Sequence, residues 1–153
     1  MSTRIAVRAI IMQKDTLLCV KLKAYHGIPR DDFWCLPGGG VDEGEALIPA
    51  LKREMIEETG VTPEIGALLY VHQFSDGNAP NLEFFFHVTN AEDYLMVDTS
   101  QTTHGEEEIA ELDFVDPKTT YILPTFLSKD DLAEKISNGP TTIVNLLDDA
   151  AVA

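Results

Sequence analysis

Residues 38–61 read GGGVDEGEALIPALKREMIEETGV. This stretch constrains the fold more than any other, because it holds the best-bounded helix in the chain. Leu47, Leu51 and Met55 fall at i, i+4 and i+8 with Ile48 beside them, so one apolar row can anchor a helix to a sheet. Pro49 belongs in a first turn, where its missing N–H has no intrahelical acceptor. Gly60 supplies a C-terminal stop. The predicted helix therefore runs from Leu47 to Thr59. Next to its apolar row it carries Glu54, Glu57 and Glu58, which share about a third of the circumference. Glu54 repels Glu58 at i,i+4 and Glu57 at i,i+3, a cost that anchoring does not require. A local cost of this kind is expected where a site is built.

The residue types around the helix say what such a site could hold. Clustered carboxylates are hard oxygen ligands that suit Mg²⁺ or Mn²⁺, and no neighbouring Cys or His set favours zinc. Glu45 lies just ahead of the helix, where Arg53 can reach back to it and keep a fixed cation among the acids. Gly38, Gly39 and Gly40 let backbone carbonyls or amides approach a metal or phosphate closely.

Charge narrows the partners. The chain has 26 acidic and 11 basic residues, a formal net charge of -15. Phosphate backbones and anionic membranes call for Lys and Arg, so the balance argues against nucleic acid and against a membrane surface. It admits a small phosphorylated substrate if divalent cations supply positive charge. Cys19 and Cys35 form no C-x-x-C pair and read as packing residues of a reduced, cytoplasmic protein. The N-terminal apolar stretch is short and broken by Arg8 and Gln13, unlike a signal peptide, and no segment approaches a membrane span in length.

The rest of the chain alternates strand and turn signals. Arg4–Gln13 and Thr16–Lys23 read as strands joined by a tight turn at Lys14-Asp15, hence a hairpin. Phe33 to Leu36 reads as a short buried strand entering the glycine loop. Ala67–Phe74 and Leu82–Thr89 read as strands split by the turn-rich SDGNAPN, followed by a short strand at Glu111–Val115 and a helix at Asp130–Ile136. The tail from Asn138 has no clear period apart from TIVNLL, and its end from about residue 145 reads as mobile. The length suits a single domain over residues 1–153. Strands on both sides of one long helix predict an α/β fold, a mixed sheet with helices packed on it.

Written as a pattern, the opening stretch is Gly39, five residues, Glu45, seven residues, Arg53-Glu54, two residues, Glu57-Glu58, one residue, Gly60 and apolar Val61. This resembles the Nudix box. Seven fixed positions match, and a chance match in one chain has odds on the order of one in a million. With the FWCLPGG lead-in and the flanking strands, the resemblance spans Arg4 to about Phe126. It implies an α/β/α sandwich around a mixed sheet, and metal-dependent hydrolysis of the pyrophosphate link in a nucleoside diphosphate joined to another group. It implies Mg²⁺, with Mn²⁺ as a substitute, held by Glu54, Glu57, Glu58 and the Gly38 carbonyl. Arg53 and Glu45 would pair to orient the site. The base that takes the proton from water would be Glu57 or an acid of the later HGEEEIAELDFVD segment, where Glu108 fits best ahead of Phe114. Apart from the resemblance, the backbone freedom of Gly39 and Gly40 lets them meet the substrate, and Arg8, Lys21 and Lys23 on the first two strands are candidates for its phosphates, Arg8 foremost. A homodimer is one assembly such relatives adopt.

Competing readings stand beside these. A catalytically silent nucleotide- or metabolite-sensing domain usually loses box carboxylates, and this box is intact. An acidic Ca²⁺-binding structural domain lacks its expected EF-hand loop. Glu106, Glu107 and Glu108 could equally be a solvated acidic loop. Arg8, Lys21 and Lys23 could be ordinary surface charge, and Phe33 and Trp34 read as core or pocket lining. His26, His72, His87 and His104 have no ligand spacing and read as structural or exposed, although His72 or His87 could face the cleft from a strand. Loops such as His26 to Asp32 and Ser75 to Asn81 would set the substrate, which the sequence does not choose.

Overall fold

The computed structural model describes residues 2–24, 32–75, 77, 79–102 and 104–145. Apolar residues on both faces of the same strands require cover on both sides, and the structure provides it. In β1 (Arg4–Ile10), Val7 and Ala9 join one core cluster and Ile10 the other. In β3 (Thr16–Leu22), Leu18 joins the first, and Leu17 and Cys19 the second. Ala50, Leu51 and Met55 of α1 (Leu47–Thr59) fill the first cluster. Phe126 and Leu127, which open the short helix Phe126–Lys129, and Leu132, which opens Leu132–Asn138, fill the second. Strands thus lie between two helical layers, the α/β/α arrangement expected.

The strands form two sheets. With β4 (Gly38–Gly40), β5 (Ile65–Ser75), β6 (Pro80–Val88) and β8 (Thr142–Asn145), the larger sheet has the order β4-β1-β6-β5-β8. It is mixed: β1 runs parallel to β6 and β5 to β8, while β1–β4 and β5–β6 are antiparallel. The smaller sheet is antiparallel, β2 (Met12–Gln13), β3 and β7 (Ile109–Val115).

Four expectations need correction. The hairpin predicted between Arg4–Gln13 and Thr16–Lys23 exists only at its tip, where Met12–Gln13 pairs with Thr16–Leu17 across a turn with Lys14 at φ 56. β1 itself has both edges taken by β4 and β6, so the chain leaves that sheet at Ile11 and no edge remains for β3. The buried strand predicted at Phe33 to Leu36 is reduced to single bridges, Cys35 with Val20 and Trp34 with Ile122. Ile48 is not in the buried row; it is 49% exposed. The later helix starts at Leu132, after Asp131, whose side chain accepts the Glu134 N–H at 3.1 Å as an N-cap. Residues 142–145 of the TIVNLL run form β8, and the tail beyond them lies outside the described residues.

Helix α1 has the predicted bounds. Gly60 takes φ 75, and its N–H closes the last turn on the Ile56 carbonyl at 2.9 Å. Both cysteines are free thiols. Burial pushes the Cys19 thiol up and that of Cys35 up to about 12, so neither is poised as a thiolate. Among the described residues no helix is long and apolar enough to cross a membrane.

Phe126 packs edge-on to Phe85 and tilted onto Tyr70 in the second cluster. Phe126→Ala should cost about 3–5 kcal/mol of unfolding free energy, and Ile48→Ala on the exposed face of α1 less than about 0.5. Urea denaturation of the two variants tests this; equal costs would contradict the burial pattern.

Candidate active site

The site starts at β4, where glycine removes side chains that would keep α1 away. β4 pairs with β1 at Ala6 with Gly40, Val7 with Gly39 and Arg8 with Gly38. Gly38 has φ 139, and a Cβ there would lie 2.0 Å from the Val7 carbonyl oxygen. At Gly39 a Cβ would lie 2.5 Å from the Glu54 carboxylate. The carboxylates of α1 therefore rest directly on the β4 backbone. The Gly38 N–H donates to Glu58 Oε1 at 2.8 Å, and the Gly40 carbonyl accepts from Arg53 Nη2 at 3.0 Å.

Arg53 organises the acids. Its Nε and Nη2 donate to Glu45 Oε2 and Oε1, both at 2.9 Å, a two-pronged pairing that only guanidinium makes. Nη1 donates to Glu54 Oε1 at 3.0 Å and to Glu57 Oε2 at 3.3 Å. Asp42 adds its carboxylate 3.6 Å from Nη2, and its N–H donates to Glu45 Oε1 at 3.0 Å. The Arg53 bonds, helped by the Asp42 amide, hold Glu45 down at about 2. Its bonds to Glu45 in turn raise Arg53 further. Burial raises Glu54 in spite of Arg53. Burial also pushes Glu58 up to about 8, with the Gly38 amide and Arg8 pulling the other way and the charges of Glu54 and Glu108 adding to the rise. Two of the clustered acids are thus under-neutralised.

A distant segment seats the C-terminal end of α1. Thr102 Oγ1 donates to the Glu58 carbonyl at 2.8 Å, and the His104 N–H donates to the Glu57 carbonyl at 2.9 Å. These are carbonyls that a helix end leaves without intrahelical partners. The Gly105 N–H donates to Thr102 Oγ1 at 3.0 Å, and a Cβ on Gly105 would sit 2.7 Å from the Glu58 carbonyl oxygen. The chain then makes one helical turn, Gly105–Glu108, and enters β7. Glu106 and Glu107 are exposed on that turn, as is Glu108, whose charge is nonetheless felt at Glu58.

The structure thus gathers Gly38, Gly39, Gly40, Glu45, Arg53, Glu54, Glu57 and Glu58, with Glu108 at the margin. Arg8 sits behind Glu58, its Nε donating to Glu83 Oε2 at 3.0 Å. Glu83 also lies 3.3 Å from His72 Nδ1. Burial opposes ionisation of Glu83, but His72 and Arg8 outweigh it and hold the carboxyl below its usual range. His72 is fully buried, stacked on Phe74. Burial lowers His87. Lys21 pairs with Glu111 and lies over the half-buried Trp34, while Lys23 donates to the Glu106 carbonyl. Phe33 is buried. His26 lies outside the described residues. Sequence reasoning missed Asp42, Thr102 and His104. The last reads as structural or exposed from spacing alone, yet its Nδ1 stands 3.0 Å from Glu57 Oε2. No local pattern could have placed it there.

Among the described residues no ready-made group of three or more His, Cys, Asp or Glu side chains stands poised around a metal ion. The donor chemistry nevertheless fits a hard divalent cation. All the acids are oxygen donors, the bare Gly39 lets the Glu54 carboxylate lie against the β4 backbone, and a cation would offset the burial that raises Glu54 and Glu58.

The NUDIX domain family model matches residues 2–134. The chain belongs to the Nudix family. The match reaches past Phe126, where the sequence resemblance ends, into the helix Leu132–Asn138. An ADP-ribose pyrophosphatase of Methanocaldococcus jannaschii is 34% identical over 92 residues, 58% of this chain and 53% of the relative. An RNA pyrophosphohydrolase of Helicobacter pylori is 42% identical over 62 residues, 40% of this chain and 39% of the relative. The chain therefore spans about half or less of the length of these curated relatives. The solution structure of the E. coli ORF135 protein shares the fold, with a TM-score of 0.68, 20% identity, and coverage of 90% of this chain and 94% of that one.

The glycines of this Nudix site are not equivalent. Gly38→Ala, which meets the Val7 carbonyl at positive φ, should cost about 1–3 kcal/mol or more, whereas Gly40→Ala, with nothing within 4 Å of its Cβ, should cost less than about 1. Thermal unfolding of both variants decides, and equal melting temperatures would refute the difference.

Proposed function

We propose that this Nudix domain hydrolyses the pyrophosphate link of a nucleoside diphosphate joined to another group. The observation that carries the reading is the Arg53 fork, which holds Glu45, Glu54 and Glu57 against the glycine strand while Glu58 is seated on the Gly38 N–H. A helix that needed only to pack would not collect four carboxylates around one guanidinium. Glu54, Glu57, Glu58 and the Gly38 carbonyl would hold Mg²⁺ or Mn²⁺. When bound, a divalent cation there would neutralise phosphate charge and polarise the attacking water.

The chain's own groups do the rest. Water attacks one phosphorus of the pyrophosphate link, and the bond from that phosphorus to the bridging oxygen breaks. Glu57 or Glu108 takes the proton from the water. Arg53 and Glu45 keep the carboxylates in register. Gly39 and Gly40 let substrate phosphates approach the backbone, and Arg8 contributes positive charge behind Glu58. A free nucleotide suits this acidic surface better than a nucleic acid.

The test is incubation with Mg²⁺ and a panel of nucleoside triphosphates, ADP-ribose, nucleotide sugars and dinucleoside polyphosphates, with products identified by chromatography. Glu57→Gln should lower kcat by at least about 100-fold. Mg²⁺ at about 100 times its Kd should stabilise the wild type by about 2.7 kcal/mol, and Glu54→Gln should reduce that gain. A protein that binds Mg²⁺ but turns over nothing in the panel would point to a silent sensing domain. One that Mg²⁺ leaves unchanged would overturn the reading altogether.

A further inference from the structure

Glu57 is approached by two nitrogens on one oxygen. Arg53 Nη1 reaches Oε2 at 3.3 Å and His104 Nδ1 stands 3.0 Å from the same Oε2. Among the described residues nothing bonds to Oε1. The imidazole is held there by its own backbone, because the His104 N–H donates to the Glu57 carbonyl at 2.9 Å and the Glu108 N–H donates to the His104 carbonyl at 3.0 Å. The neighbouring Thr102 hydroxyl fixes the same segment to the Glu58 carbonyl. His104 therefore cannot drift along α1 without breaking backbone bonds.

We propose that His104 is a positioning residue that, with Arg53, fastens Oε2 of Glu57 and so turns Oε1 toward the reacting groups. This rests on the function proposed above for Glu57. A glutamate side chain has several rotatable bonds, and holding one oxygen from two sides removes most of that freedom before substrate arrives. Arg53 alone would not suffice, since its Nη1 is shared between Glu54 and Glu57.

The chemistry of the tether gives a discriminating test. Asn places an amide nitrogen where His has Nδ1, two bonds past Cβ, whereas Gln places it one bond further, near Nε2. The full-length wild type and the His104→Ala, His104→Asn and His104→Gln variants are compared in kcat, KM, Mn²⁺ affinity by electron paramagnetic resonance and melting temperature. His104→Ala should lower kcat or Mn²⁺ affinity by about 10–100-fold, the usual cost of losing a group that orients a metal ligand. KM should stay within about threefold, because the group does not touch substrate. The melting temperature should fall by less than about 4 °C, since the backbone bonds persist. Asn should restore most of the loss and Gln should not. Nitrogen NMR of the wild-type imidazole should show a proton on Nδ1 whose resonance moves in Glu57→Gln. Alanine values of kcat and Mn²⁺ affinity within twofold of wild type, or equal rescue by Gln and Asn, would overturn the assignment. If the wild type hydrolyses nothing, the proposed function fails on its own, and the Mn²⁺ and NMR readouts still decide the role of His104.

Discussion

The site depends on the Arg53 guanidinium. Three glutamates and an aspartate surround it, and without a fixed cation the i,i+3 and i,i+4 repulsions along α1 would have no local answer. Guanidinium suits the task because its planar fork can serve Glu45 with two donors and still present Nη1 to Glu54 and Glu57. The neutralisation is uneven. Glu45 is held far down, while Glu54 and the deeply buried Glu58 are raised. The positive charge is spent at the entrance of the helix and is short at its interior end, next to the glycine strand. That asymmetry leaves an environment in which a second, divalent charge would be most strongly held.

The fold supplies the rigidity such a cluster needs. Among the described residues β4 is the edge strand of the larger sheet with β1 as its one partner, and its other side faces α1. Glycine at 38 and 39 lets the carboxylates lie on that strand without an intervening side chain. Met55 and Leu51, fully buried in the row beside the carboxylates, fix the height of the helix above the sheet. The carboxylates are thus held between a packed apolar row and a bare backbone, and the 99–108 segment closes the C-terminal end through Thr102 and His104.

What was legible in the sequence was local. The bounds of α1 followed from Leu47, Leu51, Met55, Pro49 and Gly60, whose effects act within a few residues, and the structure agrees. The pairing of Glu45 with Arg53 was also legible, since Glu45 lies just ahead of the helix that carries Arg53. The partner of β1 was not. Its pattern says that both faces are buried and says nothing about which strand takes each edge, so sequence proximity suggested β3 where β4 and β6 were the answer. The placement of His104 was hidden for the same reason. Its bond to Glu57 joins residues on separate elements and leaves no period in either. Ile48 shows the converse limit, an apolar residue at a plausible spacing that lies 49% exposed in the first turn of the helix.

Charge on the whole chain bears on how a phosphorylated compound could reach such a site. A formal net charge of -15 repels a polyanion at long range, and salt at physiological strength screens that repulsion only beyond about 8 Å. Within that distance the acids around Arg53 dominate, and Arg8, the cation behind Glu58, is already committed to Glu83. A bare phosphate chain entering here would meet carboxylates that already share one guanidinium. Approach becomes favourable when the phosphates arrive with their charge offset, as a cation-bound complex, or when the raised carboxyls of Glu54 and Glu58 have first taken up a cation. The same surface that discourages extended polyanions would then admit a short one, which makes the acidity of this chain a selective feature of the proposed chemistry rather than an obstacle to it.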